Sequence, residues 1–595
     1  MTSHTWTKRI VVAITISMLI PCLQLPAQKS SANDLYSQTS EMADLMIQYD
    51  ADKASIRRFY STSGQQQGFG QQQGAGYNSP ERRKRLLQLI DEYNEKLKKQ
   101  SFDKWNVNGK VDYILFKRNI DSEQYELLEE QKTYDQVAQY LPFSNRLYTL
   151  QKPRRRGLAV NGEEIAKELN DINKEIAKSL GKLKSMDSLE AKQANLASDA
   201  ARGLQGALRD YFNFYNGYDP MFTWWVPKTY TETDSLLGSF ATGIRRKGKT
   251  TTSQKDDGSG IIGNPIGSTE LIRQLRVEFI PYGPEELVDI ANKEFAWCDA
   301  ELLKASRDLG FGDKWKDALE KVKKTYVPPG KQPEAMYDLH KQSVDFLKKN
   351  DLLTLPDLSD EDWGMYMMSP ERQRVSPFFL GGSSLIISYP TNTMTFEEKM
   401  MSMRGNNPNF SRATVHHELL AGHHLQGYMN DRHKTYRNFN TPFWNEGNSL
   451  YWELLLWDMK FPRTPEERIG MLFWRMHRCA RIIFSLNYHL GKWTPQQCID
   501  FLVDRVGHER ANAEGEVRRS FTGGYGPLYQ LAYMIGGLQF MAMKRELVDT
   551  RKMTYKQYHD AILAENSMPI EMLRAILTNQ SLTRDYKTSW KFYNK

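Results

Sequence analysis

A mainly α-helical chain is predicted on three features: long stretches with the helical period, a series of helix-start signatures, and only one clear strand. Helical periodicity begins at Pro80 and dominates to about Tyr215, and residues 163–208 are rich in Ala, Leu, Lys and Glu, all strong helix formers. Helix starts are legible at Thr464 with Glu467, Thr494 with Gln497 and Thr554 with Gln557. Each sets a Ser/Thr cap three residues ahead of Glu or Gln. The strand candidate, Ser384 to Tyr389, is apolar, preceded by Gly381 and Gly382 and ended by Pro390.

Taken in order, the chain opens with Lys8 and Arg9 before the apolar run Ile10 to Ile20 and then Pro26, Ala27 and Gln28, the pattern of a secretory signal over residues 1–27. An exported protein is expected, periplasmic, cell-surface or secreted from a bacterium. Cys22 follows Leu19, Ile20 and Pro21, but proline fits a lipidation signal poorly, so membrane attachment is expected only if Cys22 is lipidated. Residues 28–215 form a helical N-terminal region. In it, Leu35 to Tyr60 looks helical, and a Gln/Gly tract at 64–76 has too little apolar surface to order itself. A polar loop spans 247–260, and Pro284 with Glu285 and Glu286 suits the first turn of a helix. Residues 216–595 form a second helical region, and no internal repeat is present.

At 595 residues, with 40% hydrophobic and 12% aromatic content, the chain is too apolar for disorder, and only its first run approaches membrane length. The net charge of +8 is spread along it. Its one dense run, Arg154 to Arg156, has no nucleic-acid motif beside it, so no nucleic-acid partner is expected. Beyond the signal only Cys298, Cys479 and Cys498 remain, too few for a disulfide scaffold.

Val415 to Gln426 reads V-H-H-E-L-L-A-G-H-H-L-Q, placing four of the 11 histidines and a glutamate within nine residues. In a zinc hydrolase two His nitrogens and a third protein ligand hold the ion, and a Glu beside the first His accepts a proton from water. His417 and Glu418 match the start of that pattern. The usual second His lies four residues on, where Ala421 stands. His423, six on, has turned through about 600° and sits roughly 240° around a regular helix; His424, seven on, shares the face but lies roughly 10 Å along the axis. A local bulge at Ala421-Gly422 would bring His423 back, so His423 is the expected ligand and His424 the alternative. Glu446, in Phe443-Trp444-Asn445-Glu446-Gly447, is the expected third ligand. Glu453, two turns later on the same face, competes with it or orients a ligand His.

Trp444-Asn445-Glu446-Gly447 resembles the third-ligand segment of the aminopeptidase N family, and His417 to His423 resembles the H-E-L-L-G-H of dipeptidyl-peptidase three with one residue more. The fullest resemblance is to the bacterial family DUF885, whose H-E-x-x-P-G-H-H-x-Q signature corresponds to His417 through Gln426. Similar segments follow in the same order from roughly residue 210: Phe222-Thr223-Trp224-Trp225, Pro284 to Leu287, Glu446-Gly447 with Leu450-Tyr451 and Glu453, His489 before Gly491-Lys492-Trp493, and Ala532 to Gly536. This resemblance implies a large helical metallopeptidase, gluzincin or cowrin-like, with a small β-sheet near the active site, Zn2+ as cofactor and a peptide or oligopeptide as substrate. An edge strand at Ser384 could pair with such a peptide. The chain departs from the family at Ala421 for proline, Asn448-Ser449 for Trp-Ala, and Ser485 for Asp.

Peptide hydrolysis also needs a donor for the developing oxyanion. Gly523 to Tyr529 is similar to the Gly/Tyr segment of thimet-type oligopeptidases and the angiotensin-converting enzyme, which makes Tyr529 and Tyr525 the first candidates, then Tyr533 and His489. With 30 tyrosines in the chain, packing roles compete with this reading. Two other functions stay open: a secreted binding protein that has lost catalysis, and a zinc hydrolase of non-peptide amides or esters.

Overall fold

The computed structural model describes residues 38–60, 79–249, 256–373 and 378–593. The signal segment with Cys22, the Gln/Gly tract and part of the 247–260 loop lie outside the described residues. The first described helix is Ala43–Phe59, shorter than the stretch from Leu35 suggests. The periodic region then resolves into Pro80–Lys98, Val107–Ala138, Ser144–Arg155, Gly162–Ser185 and Ala191–Tyr215. Helices dominate the rest as well, and no described helix is long and apolar enough to cross a membrane.

Start signals act locally, as their chemistry dictates. Thr494 and Thr554 make complete reciprocal caps with Gln497 and Gln557. Thr464 accepts from the Glu467 amide, but the Glu467 carboxylate accepts instead from the Arg463 amide at 2.6 Å and pairs with Arg412 at 3.1 Å. A nearby buried cation has drawn off half of that box. Glu286 accepts from the Gly283 amide at 2.7 Å, closing the start of helix Pro284–Asp308.

Apolar packing does not divide at residue 215. One core holds side chains from Tyr134 to Ile244, whereas Met42 to Leu127 pack with residues 261–592 in another. Helix Val107–Ala138 contributes to both and, at 32 residues, spans about 48 Å. A helix that long can be buried in two places at once, so composition along the chain is a poor guide to where the cores part. Cys298, Cys479 and Cys498 are buried free thiols.

Two parallel two-stranded sheets are present among the described residues. The second pairs Gly364–Met367 with Ser384–Ile387, in register from Gly364 opposite Ser384 to Met367 opposite Ile387. The strand stops short of Tyr389 because Gln373 takes over the bonding, donating to the Tyr389 carbonyl and accepting from the Ser388 hydroxyl. The other edge is not free for a peptide at Ile386. Leu380 folds back and exchanges both backbone hydrogen bonds with it, at 2.8 and 3.1 Å.

Helices Pro442–Asp458 and Tyr529–Leu547 cross backbone to backbone at Gly447 and Gly536. A Cβ on Gly536 would lie 2.1 Å from the Phe443 carbonyl oxygen, and one on Gly447 2.5 Å from Gly536 Cα. Neither contact can be relieved by a side-chain rotation. Gly536→Ala should therefore destabilise the protein by about 3 kcal/mol, the upper end of ordinary overpacking, read as a lowered urea midpoint at constant slope.

Candidate metal centre

Helix Pro408–Glu418 is started by Asn407, whose side chain accepts from the Asn409 amide at 3.0 Å, and it is buried from Phe410 through His417. It does not continue through a bulge. The helix ends at Glu418, the chain loops through Leu419 to Gly422, and a new helix, His423–Asn430, begins. The loop is pressed onto the end of the first helix: a Cβ on Gly422 would lie 1.8 Å from the His417 carbonyl oxygen. Only glycine fits there. The interruption, not a bulge, carries His423 back to His417, with ring centroids 4.9 Å apart.

Glu446, near the start of helix Pro442–Asp458, closes the group. Its Oε2 lies 3.3 Å from His417 Nε2 and 3.2 Å from His423 Nε2, and the three candidate ligand atoms all lie within 4.8 Å of one another. His424 faces elsewhere, its Nε2 2.7 Å from the Ser359 carbonyl and 3.0 Å from Asp362. Glu453 is not part of the group either; it accepts from His417 Nδ1 at 2.7 Å and from Arg478 at 3.2 Å. It orients the imidazole.

These contacts test whether the group suits a cation. With the proton of a neutral His417 committed to Glu453, Nε2 presents a lone pair to an anionic carboxylate oxygen, a repulsive pairing unless a positive charge intervenes. The electrostatics agree. Burial opposes ionisation of Glu446, yet the interactions that outweigh it, led by the charge of His423, hold the carboxyl well below its usual range. Burial likewise works against charge on His423, but Glu446 overcomes it and raises the imidazole to about 9. A site that attracts positive charge this strongly fits a divalent metal held by two imidazoles and a carboxylate.

Glu418 lies beside the group rather than in it. Its carboxylate lines a cavity of about 330 Å³ together with His417, His423 and Glu446, and makes no hydrogen bond or ion pair with a described residue. Burial raises its pKa. Gly381, just before the strand, rests against it; a Cβ there would lie 2.2 Å from Glu418 Oε2. The tyrosines line the same cavity. Tyr529 donates to Glu446 Oε1, Tyr525 stacks on Tyr529 at 4.2 Å, and the Tyr533 ring lies parallel to His417 at 6.0 Å. His489 is not brought in. It is buried at the end of helix Pro465–His489 against Tyr488 and Phe521, and burial pushes its pKa down to about 4.

Comparison with known families matches residues 62–577 to the family described as "Bacterial protein of unknown function (DUF885)". The chain belongs to this family. Two solved structures share the fold of this DUF885 member. A protein described as a lipoprotein of unknown function from Shewanella oneidensis aligns with TM-score 0.61 and 15% identity, over 90% of this chain and 99% of that one. Another described as a lipoprotein, from Colwellia psychrerythraea, gives TM-score 0.57 and 15% identity over 90% and 98%. No curated protein matches the chain.

Polar residues behind the group and beside the Gly/Tyr segment are tied in by hydrogen bonds. Ser449 Oγ lies 3.4 Å from His423 Nδ1, and Gln426 donates to Asn448 Oδ1 at 3.1 Å and to Ser449 Oγ at 3.0 Å. Ser485 Oγ donates to the Pro527 carbonyl at 3.4 Å, at the foot of the Gly/Tyr segment. Missed from the sequence are Arg478, Arg481 and Arg519, which line the cavity. Arg478 and Arg481 left a trace, standing with Arg475 at three-residue spacing in the mostly apolar stretch from Ile469 to Leu486, where buried arginines call for ion-pair partners; Arg519, on helix Arg510–Thr522, left none.

Proposed function

We propose that this chain is an exported zinc metallopeptidase that hydrolyses peptide bonds, with His417, His423 and Glu446 as ligands and Glu418 as general base. The observation that carries the reading is the convergence of two imidazole nitrogens and a carboxylate oxygen within 4.8 Å, with an unengaged glutamate next in sequence to the first histidine. Bound there, zinc would supply a Lewis acid that polarises a carbonyl and makes a water more acidic. Glu418, raised in pKa and facing the cavity, accepts a proton from the attacking water and returns it to the leaving amine. With Glu446 committed to the metal, Tyr529, stacked on Tyr525, would turn its one hydroxyl proton from Glu446 Oε1 to the carbonyl oxygen as charge develops. Export is supported by the signal pattern over residues 1–27.

Metal analysis of the purified protein, joined to mass spectrometry of a defined peptide mixture, tests the reading. The expected result is one zinc per chain and cleavage that a chelator stops and added zinc restores. Stoichiometric zinc without cleavage of any peptide would instead support a binding protein of the same fold, and cleavage confined to non-peptide amides or esters a different hydrolase.

A further inference from the structure

The ligand group lies where two chemically unlike cavities meet. His423, Glu446 and Tyr529 line both the 330 Å³ cavity and one of about 790 Å³ on the other side. The larger is rich in amides, among them Asn430, Asn445 and Asn566, beside Asp431 and Arg437, and it shares Asn438, Asn440, Pro442 and Tyr529 with a third cavity of about 690 Å³ that carries charges of both signs, such as Arg118 and Glu278. The small one is lined by arginines and aromatic rings, including Arg478, Arg481, Arg519, Phe378 and Trp474.

Charge on the arginine wall does not balance. Arg478 pairs with Glu453 at 3.2 Å, while Arg481 and Arg519 share one carboxylate, Glu516, each at 2.7 Å. Of the four arginines lining this cavity, these three, all protonated at any working pH, thus face two carboxylates, and Arg372 adds a further cation. Arg481, 2% exposed, has one guanidinium nitrogen, Nη1, with no hydrogen-bond partner. Glu418 and Glu446, across the cavity, are matched by a divalent ion if the metallopeptidase reading holds. A buried cation left without its anion is costly, and a guanidinium fork matches a carboxylate.

We propose that this wall receives the free C-terminal carboxylate of a peptide substrate, with Arg481 as the principal contact. Deepening the peptidase reading and resting on it, this makes the protein an exopeptidase that cuts next to the C-terminus. The 330 Å³ arm, at the low end of the roughly 300–1,000 Å³ usual for small-molecule sites, holds the departing end. The two larger cavities, of mixed charge, hold the rest of the peptide. An N-terminal ammonium has no place against three guanidiniums, so the direction of threading follows from charge.

The test uses full-length, zinc-loaded protein and three peptides of one sequence: a free C-terminal acid, its C-terminal amide, and an amide whose last residue is Glu. Cleavage of the acid near its C-terminus is expected, with kcat/KM for both amides lower by about 100-fold, the scale of losing one partner of a buried charge pair. Calorimetric binding to the zinc-loaded Glu418→Gln variant should show the same order of affinities. That second arm reads carboxylate recognition even if no peptide is cut, so failure of the peptidase reading and failure of this inference are separable. Equal binding of acid and amide overturns the inference, as does internal cleavage of the amide at the rate of the acid. Preference for the Glu-ending amide would show that an acidic side chain is recognised instead, and also overturns it. Arg481→Gln should abolish the discrimination; retention of it in a folded variant removes Arg481 from the role, and the wild-type comparison stands whether or not the variant folds.

Discussion

Replacing His417 by alanine should leave the purified protein without stoichiometric zinc, measured by elemental analysis after dialysis against a mild chelator. The expectation follows from how its ring is committed: Nδ1 to Glu453, Nε2 toward Glu446 and His423. Catalytic zinc sites rest on three protein ligands, and with one gone the remaining pair has neither the charge nor the geometry to compete with water. Glu453→Ala provides the graded control. It keeps all three ligand atoms and removes only the group that orients the imidazole, so affinity should fall by about 10- to 100-fold rather than vanish. That variant also leaves Arg478 without its carboxylate partner, so its folding should be checked by circular dichroism before the affinities are compared. Zinc retained at one per chain in His417→Ala would place the metal elsewhere.

Helical architecture was legible because period and caps are local properties that a residue's neighbours decide. His417, Glu418 and Glu446 were legible for a related reason: each stands in a short segment whose chemistry is compact. His423 against His424 turned on rotation around a helix assumed to continue, and the helix ends at Glu418 instead. Gly422, tight against the His417 carbonyl, was the residue that carried this information. Local reading failed wherever one residue serves distant partners. Glu467 was spent on Arg463 and Arg412 rather than on its cap, Leu380 occupied the strand edge at Ile386, and Arg478 and Arg481 found their carboxylates, Glu453 and Glu516, on other helices. His489 illustrates the opposite error. A histidine in a family-like segment was packed among aromatic rings, where burial keeps it neutral and away from the cavity.

Glu418→Gln should retain zinc at the wild-type level and lose hydrolysis by about 10²- to 10⁴-fold, the range for removing a positioned general base. The substitution is nearly isosteric, and Glu418 makes no ion pair or hydrogen bond with a described residue, so no packing partner is left unsatisfied. Its neighbour Gly381 tolerates the change because the amide fills the same space against the strand. The two variants therefore separate holding the ion from moving the proton: His417→Ala loses both metal and activity, while Glu418→Gln loses activity alone. Tyr529 cannot substitute for the lost base. Its hydroxyl is already a donor, to Glu446, and the burial and negative charge around it raise its pKa far above the range in which it could accept a proton and release it again. Full activity in Glu418→Gln would remove Glu418 from the chemistry, whereas near-complete loss with zinc intact assigns the proton transfer to this carboxylate.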